Sequence, residues 1–323
     1  MSLLNPTETT AKSAAANKAE FVNSGPKTLT PPRRKTFLLS EEDVDESKTL
    51  IFGPVGSGKT FLALGPLLCG QKVLILSTDI GDSGHITLKS ALRKLGRTDL
   101  YVNIMVVSLA GWDEVRDFLA GWAKDAQILE FKPDVVYWDG FAGFQQIDIS
   151  QYVADLLPAR TGGAPISDGR MAGLQFEQTD WGMVKNATVR SSEWFFSLKN
   201  PDGRPLHKIM SCHETIRARA KAKPNEPTVY EDAFTPMLQG AGGQLMLGGF
   251  DLILRSKAKV KRGDDGEKRI FTYVTAGHEN LVAKNRGFDL PGEMDADPVV
   301  LWNVILKNLD QKPPVEIEKT PAF

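Results

Sequence analysis

The sequence predicts an α/β domain with a mainly parallel central sheet flanked by helices. From Lys48 onwards, short apolar runs that suit buried strands alternate with segments of helical periodicity. A glycine-rich loop follows the first of these strands and leads into an apolar helix. Late in the chain, two alternating segments flank a Gly-Asp-Asp-Gly turn at 263–266. This last pattern predicts an antiparallel β-hairpin.

Each predicted element has its own local signal. Apolar runs predict strands at 48–52, 72–77, 104–108, 134–138, 208–212, 250–255, 269–274 and 281–284. Helical spacing predicts helices at 61–68, 87–95, 113–130, 152–157, 179–198 and 298–309. Asp113 and Asp297 are the expected N-caps of two of these helices. The rest of 148–178 is glycine-rich and polar, which predicts a long surface loop.

Composition divides the chain into one domain and two tails. Residues 1–46 are rich in Ala, Ser, Thr, Asn and Lys, which predicts a flexible tail. Residues 47–310 form the predicted domain, and 311–323, with three prolines, predict a second flexible tail.

Charge and cysteine content narrow the function classes. The formal net charge is −1, so binding to nucleic acid requires local basic patches. The only cysteines, Cys69 and Cys212, lie far apart in apolar surroundings, which suits a reducing cytoplasm. We expect no secretory signal and no membrane span, because no apolar run approaches eighteen residues.

The most specific motif is the glycine loop, residues 53–60. It matches the phosphate-binding pattern G-x-x-x-x-G-K-[ST] at every fixed position. Its members are Gly53, Pro54, Val55, Gly56, Ser57, Gly58, Lys59 and Thr60. Glycines let backbone N–H groups turn towards a phosphate, and a following helix adds positive charge at its N-terminus. The motif predicts that Lys59 contacts the β- and γ-phosphates of ATP and that the Thr60 hydroxyl holds Mg²⁺.

A second nucleotide signature lies about eighty residues later. The apolar strand 134–138 delivers Asp139, whose carboxylate can orient the water shell of the Mg²⁺ held by Thr60. Asp79 and His213 also follow predicted strand ends. In parallel sheets ligands bind beyond the carboxyl ends of the strands, so these side chains can converge on one nucleotide.

Taken in order, these features resemble the RecA-like ATPases, and most closely their compact bacteriophage members of the single-strand annealing type. The resemblance covers 48–309. It rests on the glycine loop, Asp79, the Asp139 strand, Ser211-Cys-His-Glu214, Phe250-Asp251 and Ala283-Lys-Asn-Arg286. Many other P-loop enzymes carry Glu directly after the strand-end Asp, but Gly140 stands there.

The resemblance implies a role for each matching position. It implies that Asp79 is the catalytic acid that activates water, although RecA usually has Glu there. His213 takes the place of a polar γ-phosphate sensor. Lys284 and Arg286 resemble residues with which a RecA subunit reaches a neighbour's ATP. A homo-oligomer, either ring or filament, is therefore expected, and the RecA C-terminal DNA-binding domain has no counterpart here.

Basic stretches provide the candidate contacts to single-stranded DNA. RecA-like cores hold DNA against loops after the fourth and fifth strands, which here are 141–178 and 214–243. The second loop and the late hairpin carry alternating cations: Arg217, Arg219, Lys221, Lys223, Lys257, Lys259 and Lys261.

The expected function is Mg²⁺-dependent ATP hydrolysis on single-stranded DNA during phage-type recombination, annealing or replication. A single-strand binding protein is a possible partner, and the host cytoplasm is the expected location if the chain is phage-encoded. Two alternatives stay open: a hexameric helicase-like translocase, and a nucleotide-gated DNA-binding or loader module with little turnover.

Overall fold

A computed structural model of the chain describes residues 46–78, 84–161, 178–221, 229–238, 240–263, 266–309 and 311. The predicted tails therefore lie outside the described residues, apart from Glu46 and Gln311.

The described residues contain a single extended sheet. Its strands are β1 Lys48–Gly53, β2 Val73–Ser77, β3 Ile104–Ser108, β4 Val135–Asp139, β5 His207–Lys221, β6 Val229–Pro236, β7 Leu252–Gly263, β8 Gly266–Val274, β9 Lys284–Asn285 and β10 Glu293–Asp295. The strand order is β10-β8-β7-β1-β5-β4-β2-β3, with β6 paired to β5 and β9 paired to β7. All pairings from β3 across to β7 are parallel, whereas β6, β8, β9 and β10 pair antiparallel. The predicted α/β class, with a mainly parallel sheet and a late antiparallel hairpin, is confirmed.

Helices cover both faces of this sheet. They are α1 Leu64–Leu68, α2 Gly84–Lys94, α3 Gly111–Gly121, α4 Ala126–Phe131, α5 Phe141–Gly143, α6 Ser150–Thr161, α7 Gln178–Ser197, α8 Gly240–Leu247 and α9 Pro298–Asn308. A π-helical stretch, Phe144–Ile149, joins α5 to α6.

Strand alternation explains the two cores. On β4, Val136 and Trp138 face one hydrophobic cluster, which includes side chains of α3, α4, α7 and α8. Val135 and Tyr137 face the other cluster, which includes side chains of α1, α2 and α9. All four side chains are fully buried. A central strand covered on both faces must be apolar at every position, which is the pattern in the sequence.

The predicted helix 113–130 is divided in the structure. It consists of α3, a 3₁₀ segment at Trp122–Lys124, and α4. Asp113 lies in the first turn of α3 and does not cap it, because Ala110 is the N-cap residue. Asp125 caps α4 instead, where its carboxylate accepts from the N–H groups of Gln127 and Ile128. The rotation introduced at this break leaves Leu129 41% exposed, although helical spacing placed it on the buried face.

The described parts of the predicted loops after the fourth and fifth strands are regular secondary structure, apart from a short segment before α8. Residues 141–161 are helical, and Phe141, Phe144 and Ile149 are fully buried. Residues 214–221 continue β5 and form an antiparallel hairpin with β6, followed by α8. The alternating Arg, Lys and Ala residues of this segment contain no apolar run, so the sequence did not predict a strand. A hairpin that is exposed to solvent does not need such a run.

The C-terminal part agrees more closely with prediction. β7 and β8 form the predicted hairpin, and Asp297 caps α9 by accepting from the N–H groups of Val299 and Val300. The predicted strand 281–284 is reduced to β9, with a separate bridge at Leu281, and β10 was not predicted. Gln311, predicted to be loose, lies with its Oε1 3.1 Å from Nε2 of His207.

Candidate functional site

A cavity of about 300 Å³ opens at the carboxyl ends of β1 and β4, beside residues 211–213 of β5. Its lining combines the glycine loop with polar side chains from strand ends: Val55, Gly56, Gly58, Lys59, Thr60, Phe61, Gly84, Thr87, Asp139, Gly140, Ser211, Cys212 and His213. This is the volume of a small-ligand pocket. The structure thus brings together the glycine loop, Asp139 and His213, as the sequence predicted.

The glycine loop has the backbone conformation that its sequence requires. Gly56 and Gly58 have φ values of 71° and 87°, which L side chains rarely adopt. The Ser57 N–H donates to the Pro54 carbonyl at 3.2 Å and closes the turn. From the neighbouring strand β7, the Ser256 hydroxyl donates to the Ser57 carbonyl. The loop is therefore fixed to the sheet, while Val55 at its apex is 81% exposed.

The Lys59 side chain folds back towards the start of the glycine loop. Its ammonium donates to the carbonyls of Gly53 at 3.0 Å and Pro54 at 2.9 Å. The predicted helix after Lys59 is a 3₁₀ segment, Lys59–Ala63, followed by the five-residue α1. Positive charge at this end of the cavity therefore comes mainly from Lys59 and the loop N–H groups, rather than from a long helix.

Asp139 ends β4 and is held in a defined orientation. Its carboxylate Oδ1 accepts from the Ser211 hydroxyl at 2.6 Å, and the same hydroxyl accepts from the Gly140 N–H at 3.2 Å. The other oxygen, Oδ2, lies against Gly84, where an added β-carbon would overlap it. Asp139 is only 8% exposed. Ser211 was not among the predicted site residues, although it lies two positions before His213 on the same strand face.

Strand register explains why these groups converge. β5 lies between β1 and β4, so Gly53 is opposite His213 on one side of β5. On the far side of β4, Asp139 is opposite Ser77 at the end of β2. Ser211 and His213 are two residues apart and so project to the same face of β5.

Tyr137, next to the site, and Cys212, in the cavity lining, are both buried. Burial raises the pKa of the Tyr137 phenol well above its ordinary value, and the negative charge of Asp139 raises it further. Burial likewise raises the pKa of the Cys212 thiol. Burial therefore favours the protonated, uncharged form of both groups.

The donors available to a divalent cation are hard oxygen atoms. The Thr60 hydroxyl and the Asp139 carboxylate line the same cavity, and oxygen ligands suit Mg²⁺. Across the described ranges, no cluster of three or more His, Cys, Asp or Glu side chains is arranged as a metal site. The residues present therefore fit a Mg²⁺ ion that shares its ligands with a bound phosphate.

The remaining predicted residues lie elsewhere. Asp79 is outside the described residues. The Lys284 ammonium donates to the carbonyls of Gly248 at 3.1 Å and Phe250 at 2.5 Å, just past the end of α8. Burial, and then the charge of Arg286, lower the pKa of Lys284. Arg286 is exposed.

The predicted DNA-contacting cations are distributed over two hairpins. Arg217 is exposed on β5, and its guanidinium donates to the Leu238 carbonyl at 3.3 Å. Lys257 and Lys259 of β7 both lie near Glu293, at 3.8 and 3.0 Å, so part of their charge is neutralised. Arg219 and Lys221 belong to β5, Lys261 belongs to β7, and Lys223 lies outside the described residues.

The two hairpins are joined at their bases. Arg255 of β7 forms an ion pair with Glu214 of β5, with Nε 2.5 Å from Oε2. The same guanidinium lies 3.7 Å from the centroid of the Phe234 ring on β6. Both charged side chains are largely buried, so this pair ties β7 to the β5–β6 hairpin next to the glycine loop.

No helix in the described parts of the chain has the length and apolar character needed to cross a membrane. No protein-family model matches the sequence, and no curated protein matches it either.

Proposed function

We propose that this protein is a RecA-like P-loop ATPase that binds ATP with Mg²⁺, hydrolyses it, and acts as an oligomer on single-stranded DNA. The observation that carries the proposal is the shared cavity of the glycine loop and Asp139. The glycine-loop motif and the shared cavity support the proposal independently. If the motif had arisen by chance, there would be no reason for Asp139, about eighty residues later, to line the same cavity.

Each residue has a definite part in this reaction. Loop N–H groups and Lys59 hold the phosphates, and Lys59 exchanges its present carbonyl acceptors for phosphate oxygens. The Thr60 hydroxyl and the Asp139 carboxylate hold the magnesium position. The ion supplies charge neutralisation at the phosphates when bound. We assign contact with the outermost phosphate to His213, which is opposite Gly53 on the neighbouring strand.

The attacking water requires a base. Gly140 directly follows Asp139 and has no side chain to act. Asp139 is the only carboxylate among the described residues that line the cavity, and its Oδ1 is already bound by Ser211. We therefore assign the base to Asp79, which follows β2, the strand next to β4. Asp79→Asn should bind ATP and hydrolyse it at least ~10²-fold more slowly.

A direct test compares two site variants with a surface control. Lys59→Ala should abolish turnover and weaken ATP binding, because phosphate charge loses its counter-charge. Asp139→Asn should keep nucleotide binding but lower turnover about 100-fold, because metal orientation is lost. Lys89→Ala, an exposed lysine on α2, is the matched control and should behave as wild type. A wild-type protein that neither binds nor hydrolyses ATP in the presence of Mg²⁺ would refute the proposal.

DNA binding is supported by the cationic β5 strand. Arg217, Arg219 and Lys221 alternate on a hairpin that extends from the cavity edge, and Lys223 follows them in the sequence. Replacing all four by Ala should weaken single-strand binding and flatten its salt dependence, since phosphate contacts dominate such binding. ATP hydrolysis without DNA should survive. Equal binding by the quadruple variant at every salt concentration would exclude this hairpin.

Gly140 stands directly after Asp139, where many P-loop enzymes carry a catalytic Glu, and this favours one alternative, a nucleotide-gated DNA-binding module with little turnover. ATP turnover measured with and without single-stranded DNA separates the two. Fast, DNA-stimulated turnover supports the ATPase, whereas ATP-dependent DNA binding with negligible turnover supports the module.

A further inference from the structure

Two buried hydroxyl groups lie behind the candidate metal position. The first belongs to Ser211, which is 2% exposed and already forms two hydrogen bonds. Its hydrogen is donated to Asp139 Oδ1, and one lone pair accepts the Gly140 N–H. A hydroxyl has a single hydrogen but two lone pairs, so Ser211 can accept one more hydrogen bond.

The second hydroxyl belongs to Tyr137. The side chain is fully buried on β4, two residues before Asp139 and so on the same strand face. Its Oη has no hydrogen-bond partner of normal geometry within the described residues. The hydroxyls of Ser211 and Thr60 are its polar neighbours. Phenylalanine would fill this apolar core without leaving a buried hydroxyl unsatisfied, so the tyrosine calls for a role.

We infer that Ser211 and Tyr137 are positioning residues that orient Asp139 and Thr60 towards a divalent cation. The inference rests on the proposed function. Ser211 holds Oδ1 and thereby fixes the orientation of the carboxylate, with Oδ2 on the Gly84 side. The Tyr137 hydroxyl has a hydrogen to donate beside the hydroxyls of Ser211 and Thr60, and is the group that would fix which lone pairs those oxygens present to a bound cation.

The chain offers closely matched controls. Tyr273 is also a fully buried tyrosine whose hydroxyl has no hydrogen-bond partner in the described part of the chain, but it lies on β8 and its charged neighbour is Asp297 rather than Asp139. Ser192 is also 2% exposed, and its hydroxyl donates to the Val189 carbonyl within α7. Tyr137→Phe is therefore compared with Tyr273→Phe, and Ser211→Ala with Ser192→Ala.

The first measurement is the Mg²⁺ concentration that gives half-maximal ATP turnover at saturating ATP. The second is the affinity for a fluorescent ATP analogue in EDTA, which gives the nucleotide affinity without metal. Loss of a residue that orients a metal ligand typically costs 10–100-fold in metal affinity or activity. We expect Ser211→Ala to raise the Mg²⁺ requirement by that range and Tyr137→Phe to raise it about 10-fold. Metal-free nucleotide affinity should be unchanged, and both controls should keep the wild-type requirement.

The possible outcomes separate the inference from the proposed function. If wild type shows no Mg²⁺-dependent binding or turnover of ATP, the proposed function fails and the inference fails with it. If wild type is active and Tyr137→Phe has the same Mg²⁺ requirement as Tyr273→Phe, the role of Tyr137 is refuted. If Ser211→Ala has the same Mg²⁺ requirement as Ser192→Ala, the role of Ser211 is refuted. If Ser211→Ala does not fold, Tyr137→Phe, which removes only one oxygen, still decides the inference.

Discussion

His207 should make the stability of this protein fall steeply in mild acid. It is fully buried at the start of β5, and the Ser47 N–H donates to its Nδ1 at 3.2 Å. Nδ1 must therefore be unprotonated, which places the hydrogen on Nε2, 3.1 Å from Gln311 Oε1. Burial lowers the pKa of His207 from 6.5 to about 4, although the Gln311 hydrogen bond opposes the shift.

The sign follows from proton binding. Above pH 6.5 the histidine is neutral in both states, so its contribution to folding is fully present. Between pH 6.5 and about 4 the unfolded chain binds a proton that the folded chain does not, and stability falls. Each pKa unit corresponds to about 1.4 kcal/mol, so the full loss is about 3 kcal/mol, most of it by pH 4.5.

Urea unfolding at pH 7 and pH 4.5 measures this loss. His207→Asn keeps an acceptor for the Ser47 N–H but does not titrate. Its free energy of unfolding should be lower than that of wild type at pH 7. This difference in free energy should be roughly 2 to 3 kcal/mol smaller at pH 4.5. The exposed His278→Asn is the control. An unchanged difference between wild type and His207→Asn at the two pH values would refute the buried, neutral histidine.

Two further predictions concern Asp148 and Gly84. Burial raises the pKa of Asp148 to about 6, so ionisation of this carboxyl destabilises the fold as pH rises from about 4 to 6. Asp148→Asn should therefore raise the free energy of unfolding at pH 7 by about 1 kcal/mol, after allowance for partial exposure, as measured by thermal unfolding. Below pH 4 the substitution should have no such effect. A β-carbon at Gly84 would overlap Asp139 Oδ2, so Gly84→Ala should abolish metal-dependent turnover while metal-free nucleotide binding survives. Gly121→Ala on α3, with open space around its β-carbon, is the control, and equal turnover in both variants would contradict the assigned position of Asp139.

The parallel core of the fold was predictable because its strands carry unambiguous signals. Continuous apolar runs such as 73–77 and 135–138 are buried on both faces, and the central pairings follow from that burial. The β5–β6 hairpin and the helical stretch 141–161 were not predictable in the same way. Alternating Arg and Ala at 217–220 is as polar as a loop, and the π-helical turn at Phe144–Ile149 has no simple periodic signature.

For the candidate site, sequence alone identified the groups that follow strand ends but not those that support them. The glycine loop and Asp139 have motif or positional signals, and the register of β1, β5 and β4 brings them together. Tyr137 and Gly84 have no motif of their own, and Ser211 entered only as the first residue of Ser211-Cys-His-Glu214. Their proximity to Asp139 depends on side-chain direction and on the path of the chain before α2, which only the three-dimensional structure specifies.

The strand β5 passes through two environments of different protection against hydrogen exchange. From Lys208 to His213 it pairs with β1, and over its first residues also with β4, in the centre of the sheet. From Glu214 onwards it pairs only with β6. Backbone amides of the first part should therefore exchange with solvent only on global unfolding, and those of the second part through local opening. The boundary falls at His213, on the cavity wall, so the exchange rates of the next few amides report directly on whether the cavity is filled.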